Sequence, residues 1–347
     1  MQYRLFGAGT GLRVSALALG SAVFGTAWDY GAQPEEATAI LRTYAEAGGN
    51  FIDTADFYQF GQSETIIGAF LRGRRDQFVV ATKYSLGADA HPAVLTTGNS
   101  RKNMIRSVEA SLVRLNTDRI DLLWVHMSDG MTDTGEIVRA LDDLVRSGKI
   151  LYAGFSDFPA WRVARAATLA ELRGWSPIVG LQVEYSLVER TPERELLPMA
   201  QALGLGVTAW SPLAGGLLTG KYRRGEPGRA TTFGAVVHFE DDARKTTLMD
   251  ALLATANEMD VAPDQVALAW LSARGVIPII GPRTVQQLRK NLGASRLELS
   301  PEHAARLDAA SAILLGFPHD FLADARQRNR LNGGDENQMS PPGRPVA

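Results

Sequence analysis

Short apolar runs alternate with longer helical segments through most of this chain, and this alternation limits its possible folds more than any other feature. The runs are apolar on both faces, as strands are when helices cover a parallel sheet. They lie at 16–20, 51–55, 78–84, 120–126, 150–156, 178–185, 206–211 and 276–281. The segments that follow them predict helices at 34–47, 63–71, 100–115, 134–147, 159–172, 192–203, 263–273 and 284–294. Eight β/α units over roughly 280 residues predict a closed (β/α)8 barrel in the α/β class.

The remaining segments lie outside this repeat. Residues 2–6 and 12–15 flank a glycine-rich turn and predict an N-terminal β-hairpin, and 301–314 predicts an extra C-terminal helix. A doubly wound open sheet is the alternative fold, but position 12 is leucine, so the glycines do not form the phosphate-binding GxGxxG turn of that fold. We predict one barrel domain over 1–331 and a mobile, polar tail over 332–347.

Composition excludes several classes of function. The net charge is −2 and the basic residues are scattered, so we expect neither a nucleic-acid nor a membrane partner. The 347 residues include no cysteine, which excludes disulfides and thiolate nucleophiles. No apolar run approaches the ~18 residues of a membrane span, and the N-terminus lacks the pattern of a signal peptide. We therefore expect a cytoplasmic protein, and we predict no metal site; the sequence does not indicate an oligomeric state.

Polar residues end three consecutive predicted strands. Asp53 lies in the second strand and Tyr58 follows in its loop, Lys83 lies next to the last residue of the third strand, and His126 ends the fourth. Each has an ordinary structural explanation, such as a satisfied core aspartate, a solvated lysine or a structural histidine. In a (β/α)8 barrel, however, the C-terminal strand ends form the active site. These four side chains are therefore predicted to converge on one point of the rim.

This set of groups suits proton transfer. Tyrosine has an ordinary pKa near ~10, and a neighbouring ammonium lowers the pKa by stabilising the phenolate. Asp53 is expected to pair with Lys83, and His126 to donate a hydrogen bond to a substrate oxygen. Tyr58 then serves as general acid when a carbonyl is reduced to an alkoxide. Because no side chain supplies a hydride, a nicotinamide or flavin cofactor is implied.

Several separated motifs carry a resemblance to a known family. The segments FIDTADFYQFGQSE, VVATKY, IDLLWVH, GFSDF, LQVEYSL, AWSPLAGGLLTGKY and IIGPRTVQQLRKNLGA occur in this order. With these segments in this order, the chain resembles the aldo-keto reductases from about Tyr3 to Leu322. The resemblance implies a barrel that binds extended NADP(H) at its C-terminal rim, with Asp53, Tyr58, Lys83 and His126 as the catalytic tetrad. Residues 217–222 and the loop after them resemble the bacterial branch, which is related to potassium-channel β subunits.

The resemblance also implies a set of cofactor contacts. Ser156, Asp157 and Gln182 are expected to hold the nicotinamide carboxamide, and Trp210 to stack on the nicotinamide ring. The pyrophosphate is expected to lie along Ser211, Leu213, Gly215, Leu217 and Lys221, and the adenosine along Gly281, Arg283, Thr284, Gln287 and Asn291. A guanidinium is suited to bidentate binding of a 2′-phosphate. Arg283 therefore predicts a preference for NADP(H) over NAD(H).

Two positions depart from the family pattern. Residue 157 is aspartate where the family usually has asparagine, and an ionised aspartate accepts hydrogen bonds but cannot donate them. Met127-Ser128 replaces a Trp-Pro pair that forms a wall of the substrate pocket in many relatives. The pocket is then predicted to be lined by Phe24, Trp28, Tyr58, Tyr84 and Met127, with core packing as the alternative role for Phe24 and Trp28.

The predicted function is NADPH-dependent, reversible reduction of an aldehyde or ketone, with the proton supplied by Tyr58. Two alternatives are an NAD-dependent dehydrogenase of a sugar or pyridoxal and a cofactor-binding regulatory subunit of the channel β-subunit type. The substrate is a small molecule, selected by rim loops at 23–33, 84–99, 127–133 and 214–247.

Overall fold

The fold begins with a short antiparallel hairpin. A computed structural model describes residues 1–228, 238–340, 343 and 345. In it, β1 (Tyr3–Leu5) pairs with β2 (Arg13–Ser15), so the predicted hairpin is confirmed. Thr10 closes the connecting turn by donating from its hydroxyl to the Phe6 carbonyl over 2.6 Å.

A closed barrel of eight parallel strands, all within the described residues, follows the hairpin. The last strand pairs with the first through Ile279 opposite Ala18, which closes the barrel and confirms the predicted fold class. The strands are β3 (Ala18–Gly20), β4 (Phe51–Asp53), β5 (Val79–Tyr84), β6 (Ile120–Val125), β7 (Ile150–Ser156), β8 (Ile178–Glu184), β9 (Gly206–Trp210) and β10 (Ile277–Ile280).

Helices cover the outside of the barrel. They are α1 (Pro34–Glu46), α2 (Gln62–Leu71), α3 (Arg101–Leu115), α4 (Thr134–Arg146), α5 (Ala160–Arg173), α6 (Leu196–Ala202), α7 (Ala243–Glu258), α8 (Pro263–Ala273), α9 (Val285–Leu292), α10 (Pro301–Ser311), α11 (His319–Leu322) and α12 (Ala325–Leu331). Side-chain caps begin several of them; the Ser100 side chain, for example, accepts from the Asn103 N–H at the start of α3. Within the described residues no helix combines the length and apolarity needed to cross a bilayer.

Strand alternation divides the core into two layers. Val79 and Ala81 belong to a cluster inside the barrel, whereas Val80 and Tyr84 pack in the larger cluster between strands and helices. This follows from the two-residue period of a strand, in which successive side chains point to opposite faces. Lys83 shares the inward parity of Val79 and Ala81. The parity of each strand therefore determines which side chains reach the barrel interior.

The hairpin closes the N-terminal end of the barrel with Phe6. Its ring lies 5.7 Å from the ring of Phe51 and 6.1 Å from that of Trp124, both in edge-on contacts. Gly180 and Gly206 make room for the ring, since a Cβ at either position would lie within 2.9 Å of it. Apolar side chains therefore fill the interior of the barrel at this end.

Three segments differ from the sequence predictions. Helix α7 was not predicted and begins inside the predicted loop 214–247. The predicted helix 192–203 is interrupted, because Glu195 has extended φ (−137°) and α6 starts only after it. Two short helices, α11 and α12, follow the predicted C-terminal one. Residues 229–237 of the predicted loop and most of 341–347 lie outside the described residues, so the domain limits at 331 stay a prediction.

Candidate active site

Three consecutive strands and one loop bring four polar side chains together at the C-terminal rim. Asp53 is the last residue of β4, Lys83 lies near the end of β5, and His126 directly follows β6. Tyr58 begins a short 3₁₀ helix, Tyr58–Gly61, in the loop after β4. The Tyr58 and His126 rings are 6.0 Å apart and perpendicular. The predicted convergence of these residues on one point of the rim is therefore what the structure contains.

Lys83 is the centre of this group. Its ammonium is 1% exposed and forms an ion pair with Asp53 Oδ1. It also donates to the Thr54 carbonyl over 2.9 Å and to the Tyr58 hydroxyl over 3.2 Å. Three acceptors thus satisfy the three N–H groups of a buried ammonium, which would otherwise carry a large desolvation cost.

Two further barrel residues hold the second oxygen of Asp53. Gln182 Nε2 donates to Asp53 Oδ2 over 2.9 Å, and Trp124 Nε1 donates to the same oxygen over 3.2 Å. Trp124 was not predicted as part of the site. The strand period could have indicated it, since Trp124 on β6 has the same inward parity as His126 just after the strand. The Asp53 carboxylate is consequently fixed on both sides.

Burial changes the protonation of these groups. It raises the pKa of Tyr58 above its ordinary value, against the opposing effect of the Lys83 charge. The lysine charge lowers the pKa of Tyr58, as expected from the sequence, but the effect of burial is larger and in the opposite direction. Burial also lowers the pKa of His126 well below its ordinary value, and the Lys83 charge adds to this effect. For Lys83, burial opposes the charge, but Asp53 and Tyr58 outweigh it and raise the lysine pKa. At neutral pH the site therefore contains a phenol, a neutral imidazole and an ammonium.

Two of the predicted substrate residues are instead core residues. Phe24 is fully buried in the outer core cluster, and Tyr84 packs in the same cluster with its hydroxyl donating to the Asn99 carbonyl over 3.2 Å. Tyr84 points away from the barrel interior because its neighbour Lys83 points into it. Neither side chain presents surface at the rim in this structure, and contact of either with a substrate stays a prediction.

An aromatic cluster borders Tyr58 at the mouth of the barrel. The Trp28 ring lies 5.0 Å from Phe57, 6.1 Å from Phe60 and 6.2 Å from Tyr58. Phe57 and Phe60 were not predicted as site residues, although they flank Tyr58 in the sequence. Met127, directly after His126, is 38% exposed. We refer to Trp28, Phe57 and Phe60 as the aromatic mouth.

Gln59 ties the two loops of the aromatic mouth together. Its Oε1 accepts from the Trp28 backbone N–H over 2.9 Å, and its Nε2 donates to the Tyr30 carbonyl over 2.9 Å. Gln59 and Phe60 both have positive φ, near 50°. This left-handed pair turns the chain so that Gln59 is buried under the loop after β3. The aromatic mouth is therefore part of a hydrogen-bonded frame.

The end of β7 carries Ser156 and Asp157, next to Trp210 at the end of β9. Asp157 Oδ1 accepts from Trp210 Nε1 over 3.0 Å. The Ser156 hydroxyl is buried beside the Asp157 carboxylate and lowers the pKa of that carboxyl, but it forms no hydrogen bond of ordinary geometry within the described residues. Gln182, predicted to hold a carboxamide beside them, uses its amide N–H on Asp53. A buried hydroxyl without a well-formed partner is suited to a ligand that offers a better one.

The chain after β9 forms a tight, cationic turn. Ser211, Ala214, Gly215 and Gly216 all have positive φ, and a 3₁₀ helix spans Ala214–Thr219. A Cβ at Gly216 would lie 2.7 Å from Lys221 Cε, so only glycine lets this lysine pack across the turn. The Leu217 side chain is buried in the core, whereas Leu213 is partly buried.

A second cation lies near this turn. Burial and the charge of Arg283 both lower the pKa of Lys221, which places the two cations within electrostatic range of each other. The Arg283 guanidinium lies 4.4 Å from the centre of the Tyr30 ring. Two neighbouring cations repel each other, and an anion between them relieves that repulsion.

The remaining predicted cofactor residues support helix α9. The Thr284 hydroxyl accepts from the Gln287 N–H over 3.2 Å as the helix cap, and Gln287 Oε1 accepts from the Arg283 N–H over 2.8 Å. Asn291 donates to Asp264 over 2.8 Å in a buried contact with α8. At Gly281 a Cβ would meet no atom within 4 Å, so space is open in front of this strand end.

Comparison with known proteins gives a consistent result. Residues 16–312 match the model of the Aldo/keto reductase family. The chain is 36% identical to norsolorinic acid reductase of Aspergillus flavus, over 97% of this chain and 89% of that protein. It is 38% identical to a norsolorinic acid reductase of Emericella nidulans, over 92% and 84%. It is 36% identical to the aryl-alcohol dehydrogenase [NADP(+)] of Phanerodontia chrysosporium, over 94% and 90%. All three relatives are fungal.

Proposed function

Because this chain belongs to the aldo/keto reductase family, we propose that it reduces an aryl aldehyde or aryl ketone with NADPH. Membership makes it an oxidoreductase that acts on carbonyl and alcohol groups. The observation that carries the proposal is the buried Lys83 ammonium, which joins the Asp53 carboxylate to the Tyr58 hydroxyl. This arrangement is suited to giving one proton to a substrate oxygen.

In this proposal Tyr58 is the general acid. Burial keeps its hydroxyl protonated at neutral pH, so it can donate to the oxygen of a carbonyl as the alkoxide develops. Lys83 stabilises the phenolate that remains, and Asp53 keeps the lysine charged and in place. The same contacts allow the reverse reaction, in which the phenolate takes a proton from an alcohol.

His126 orients the substrate oxygen. Its imidazole is neutral, because burial and Lys83 both oppose protonation. A neutral imidazole has one N–H to donate and does not compete with Tyr58 for the role of acid. His126 therefore holds the carbonyl oxygen beside the Tyr58 hydroxyl by a hydrogen bond.

The residues of the rim fit a nicotinamide dinucleotide. The Ser156 hydroxyl and the Asp157 carboxylate offer a donor and an acceptor for a carboxamide, and Trp210 offers a flat face for the ring. The glycine turn at Gly215–Gly216 and Lys221 are suited to the pyrophosphate. When bound, the nicotinamide supplies the hydride that the substrate carbon receives.

NADPH is the proposed form of the cofactor because of Arg283. A 2′-phosphate is an anion for which a guanidinium provides paired N–H donors. The position of Arg283 near Lys221 makes this part of the rim cationic. The name of the Phanerodontia relative, an aryl-alcohol dehydrogenase [NADP(+)], supports the same choice. The Thr284 hydroxyl and the N-terminus of α9 add further hydrogen-bonding capacity there.

The aromatic mouth supports an aryl substrate. Trp28, Phe57 and Phe60 form a cluster beside Tyr58, and aromatic faces and edges favour flat aromatic rings. Met127 adds an exposed, adaptable apolar side chain on the His126 side. The names of two relatives refer to norsolorinic acid reduction and to aryl alcohols. The aromatic mouth therefore favours reduction of an aryl carbonyl over oxidation of a sugar or pyridoxal.

Steady-state assays test the proposal. Purified protein should consume NADPH, measured by its absorbance, in the presence of benzaldehydes and acetophenones, and NADH should be a poorer donor. Hexoses and pyridoxal with NAD⁺ are the comparison substrates. Tight binding of NADPH without turnover of any carbonyl would contradict the proposal and favour a regulatory subunit. Faster oxidation of a hexose or pyridoxal with NAD⁺ would contradict it in favour of the dehydrogenase.

A further inference from the structure

Asp157 places a carboxylate at the rim where backbone contacts fix its position. Its φ of 51° lies in the left-handed region, which aspartate and asparagine tolerate better than most residues. Its backbone N–H donates to the Gln182 carbonyl over 3.2 Å, and its carbonyl accepts from the Ser128 N–H over 3.4 Å. With the side chain bound to Trp210 at 3.0 Å, Asp157 is held by residues from three neighbouring strands or their loops.

The carboxylate of Asp157 lies in the electrostatic environment of the proposed proton donor. Its charge acts on Tyr58, raising the phenol pKa, and it is in turn stabilised by Lys83. On the other side Glu184, at the end of β8, repels it, and Glu184 Oε1 lies 2.8 Å from His238 Nε2. These charged and titratable groups act on Asp157 together with two hydrogen-bond donors, Trp210 and the Ser156 hydroxyl.

Asp157 is ionised at mildly alkaline pH. Burial raises the pKa of its carboxyl to about 6, and the Trp210 hydrogen bond and the Lys83 charge limit that rise. At pH 8 the rim next to Trp210 therefore carries a full negative charge, which an asparagine in this position would not supply.

This charge distinguishes the two redox states of a nicotinamide. The oxidised ring carries a positive charge and the reduced ring carries none, whereas the carboxamide is the same in both. An ionised carboxylate accepts from the carboxamide N–H in either state, and the Ser156 hydroxyl can donate to its oxygen. Only the oxidised ring gains a Coulombic attraction in addition.

We infer that Asp157 makes the site bind oxidised NADP⁺ more tightly, relative to reduced NADPH, than an asparagine in the same position would. The inference rests on the proposed function, since it requires a nicotinamide beside Trp210. A single partly shielded charge pair of this kind changes a dissociation constant by about tenfold. Asp157 is therefore a residue that determines specificity for the redox state of the cofactor.

Calorimetric titration with NADP⁺ and with NADPH at pH 8 tests this inference. We expect the ratio of dissociation constants, NADP⁺ over NADPH, to rise about tenfold in Asp157→Asn relative to the unsubstituted protein. Asp118→Asn, an 85% exposed acid between α3 and β6, is the control for loss of one negative charge and should leave the ratio unchanged. An unchanged ratio in Asp157→Asn would overturn the inference while leaving the proposed function intact. Failure of the unsubstituted protein to bind either form would overturn both.

A second measurement needs no variant. In the unsubstituted protein the same ratio should rise as the pH falls from 8 to 5, because Asp157 becomes protonated near pH 6. The 2′-phosphate titrates in the same range but is common to both forms, so its effect cancels in the ratio. A ratio that stays constant between pH 8 and pH 5 would overturn the inference, and this test decides the case if Asp157→Asn does not fold.

Discussion

The Lys83 ammonium donates to the Tyr58 hydroxyl over 3.2 Å while it is ion-paired with a buried carboxylate. Burial alone opposes ionisation of Tyr58, because a phenolate charge is poorly stabilised away from water. The neighbouring ammonium provides the stabilisation that a buried phenolate would otherwise lack. The contact therefore matters most after the proton has left. It makes Tyr58 a donor whose conjugate base the site can hold.

Substitution of Asp53 tests whether its ion pair with Lys83 supports proton transfer by Tyr58. In Asp53→Asn an amide replaces the carboxylate, and its oxygen cannot face Lys83 and the donors Gln182 and Trp124 at once. We expect kcat to fall by about tenfold or more, as the Lys83 charge loses its counterion. The dissociation constant for NADPH should stay within about twofold of the unsubstituted value. A kcat within error of the unsubstituted protein would show that the ion pair does not support proton transfer.

Arg283 provides a test of cofactor choice. Arg283→Ala should weaken NADPH binding by at least about tenfold, since a hydrogen-bonded charge pair is lost, and should change NADH binding little. The matched control is Arg289→Ala, which removes an exposed arginine from α9, the helix that begins just after Arg283. Equal weakening of NADPH and NADH by Arg283→Ala would show that this residue does not bind the 2′-phosphate.

Trp28 tests the proposed substrate class. Trp28→Ala removes the ring that contacts Phe57, Tyr58 and Phe60. We expect KM for benzaldehyde to rise by about five- to tenfold, because an aromatic contact is lost, and KM for propanal to change little. Comparison of kcat and KM for the two aldehydes measures this difference. An equal change for both aldehydes would contradict an aryl pocket at Trp28.

Asp56 gives a prediction for stability against pH. Its carboxyl is buried, with Oδ1 lacking a partner in the described part of the chain, and burial and Glu64 raise its pKa to about 7. The unfolded chain has an aspartate pKa near ~3.9, so the native state binds more protons between these values. The contribution of Asp56 to stability is therefore fully present below about pH 4 and is lost as the pH rises through about 7.

Thermal unfolding of Asp56→Asn measures this contribution. Between pH 5 and pH 7.5 the free energy of unfolding should fall less steeply in the variant than in the unsubstituted protein. The two slopes should differ by up to about 1.4 kcal/mol per pH unit. Asp76→Asn, an exposed acid, should retain the unsubstituted pH dependence. Parallel pH profiles for Asp56→Asn and the unsubstituted protein would contradict the raised pKa.

The barrel and the convergence of Asp53, Lys83 and His126 could be predicted because both depend on local patterns. Strand runs, helix starts and the residue at each strand end are all visible in the sequence. Tyr84 was predicted to line the substrate pocket, but it is adjacent to the inward-pointing Lys83, and adjacent strand residues point to opposite faces. Applying that period to β5 would have placed it in the outer core, where the structure has it.

Other features depend on contacts distant in sequence. Gln182 and Asp53 are 129 residues apart, and no local pattern relates them. Helix α7 follows a glycine- and arginine-rich segment and mixes threonine and alanine with few strongly apolar residues, so its periodicity is weak. It is stabilised mainly by packing on α8 and α10, through residues such as Leu248 and Leu252. Tertiary packing, rather than propensity, determines such a helix.

The most direct test of the proposed function is Tyr58→Phe, assayed with NADPH and benzaldehyde beside the unsubstituted protein. The substitution removes one oxygen, which accepts the Lys83 hydrogen bond, and keeps the ring against Trp28. We predict that kcat falls by about 100-fold or more, since the general acid is lost, while the dissociation constant for NADPH changes by less than about twofold. Undiminished turnover by Tyr58→Phe would contradict the assignment of Tyr58 as proton donor.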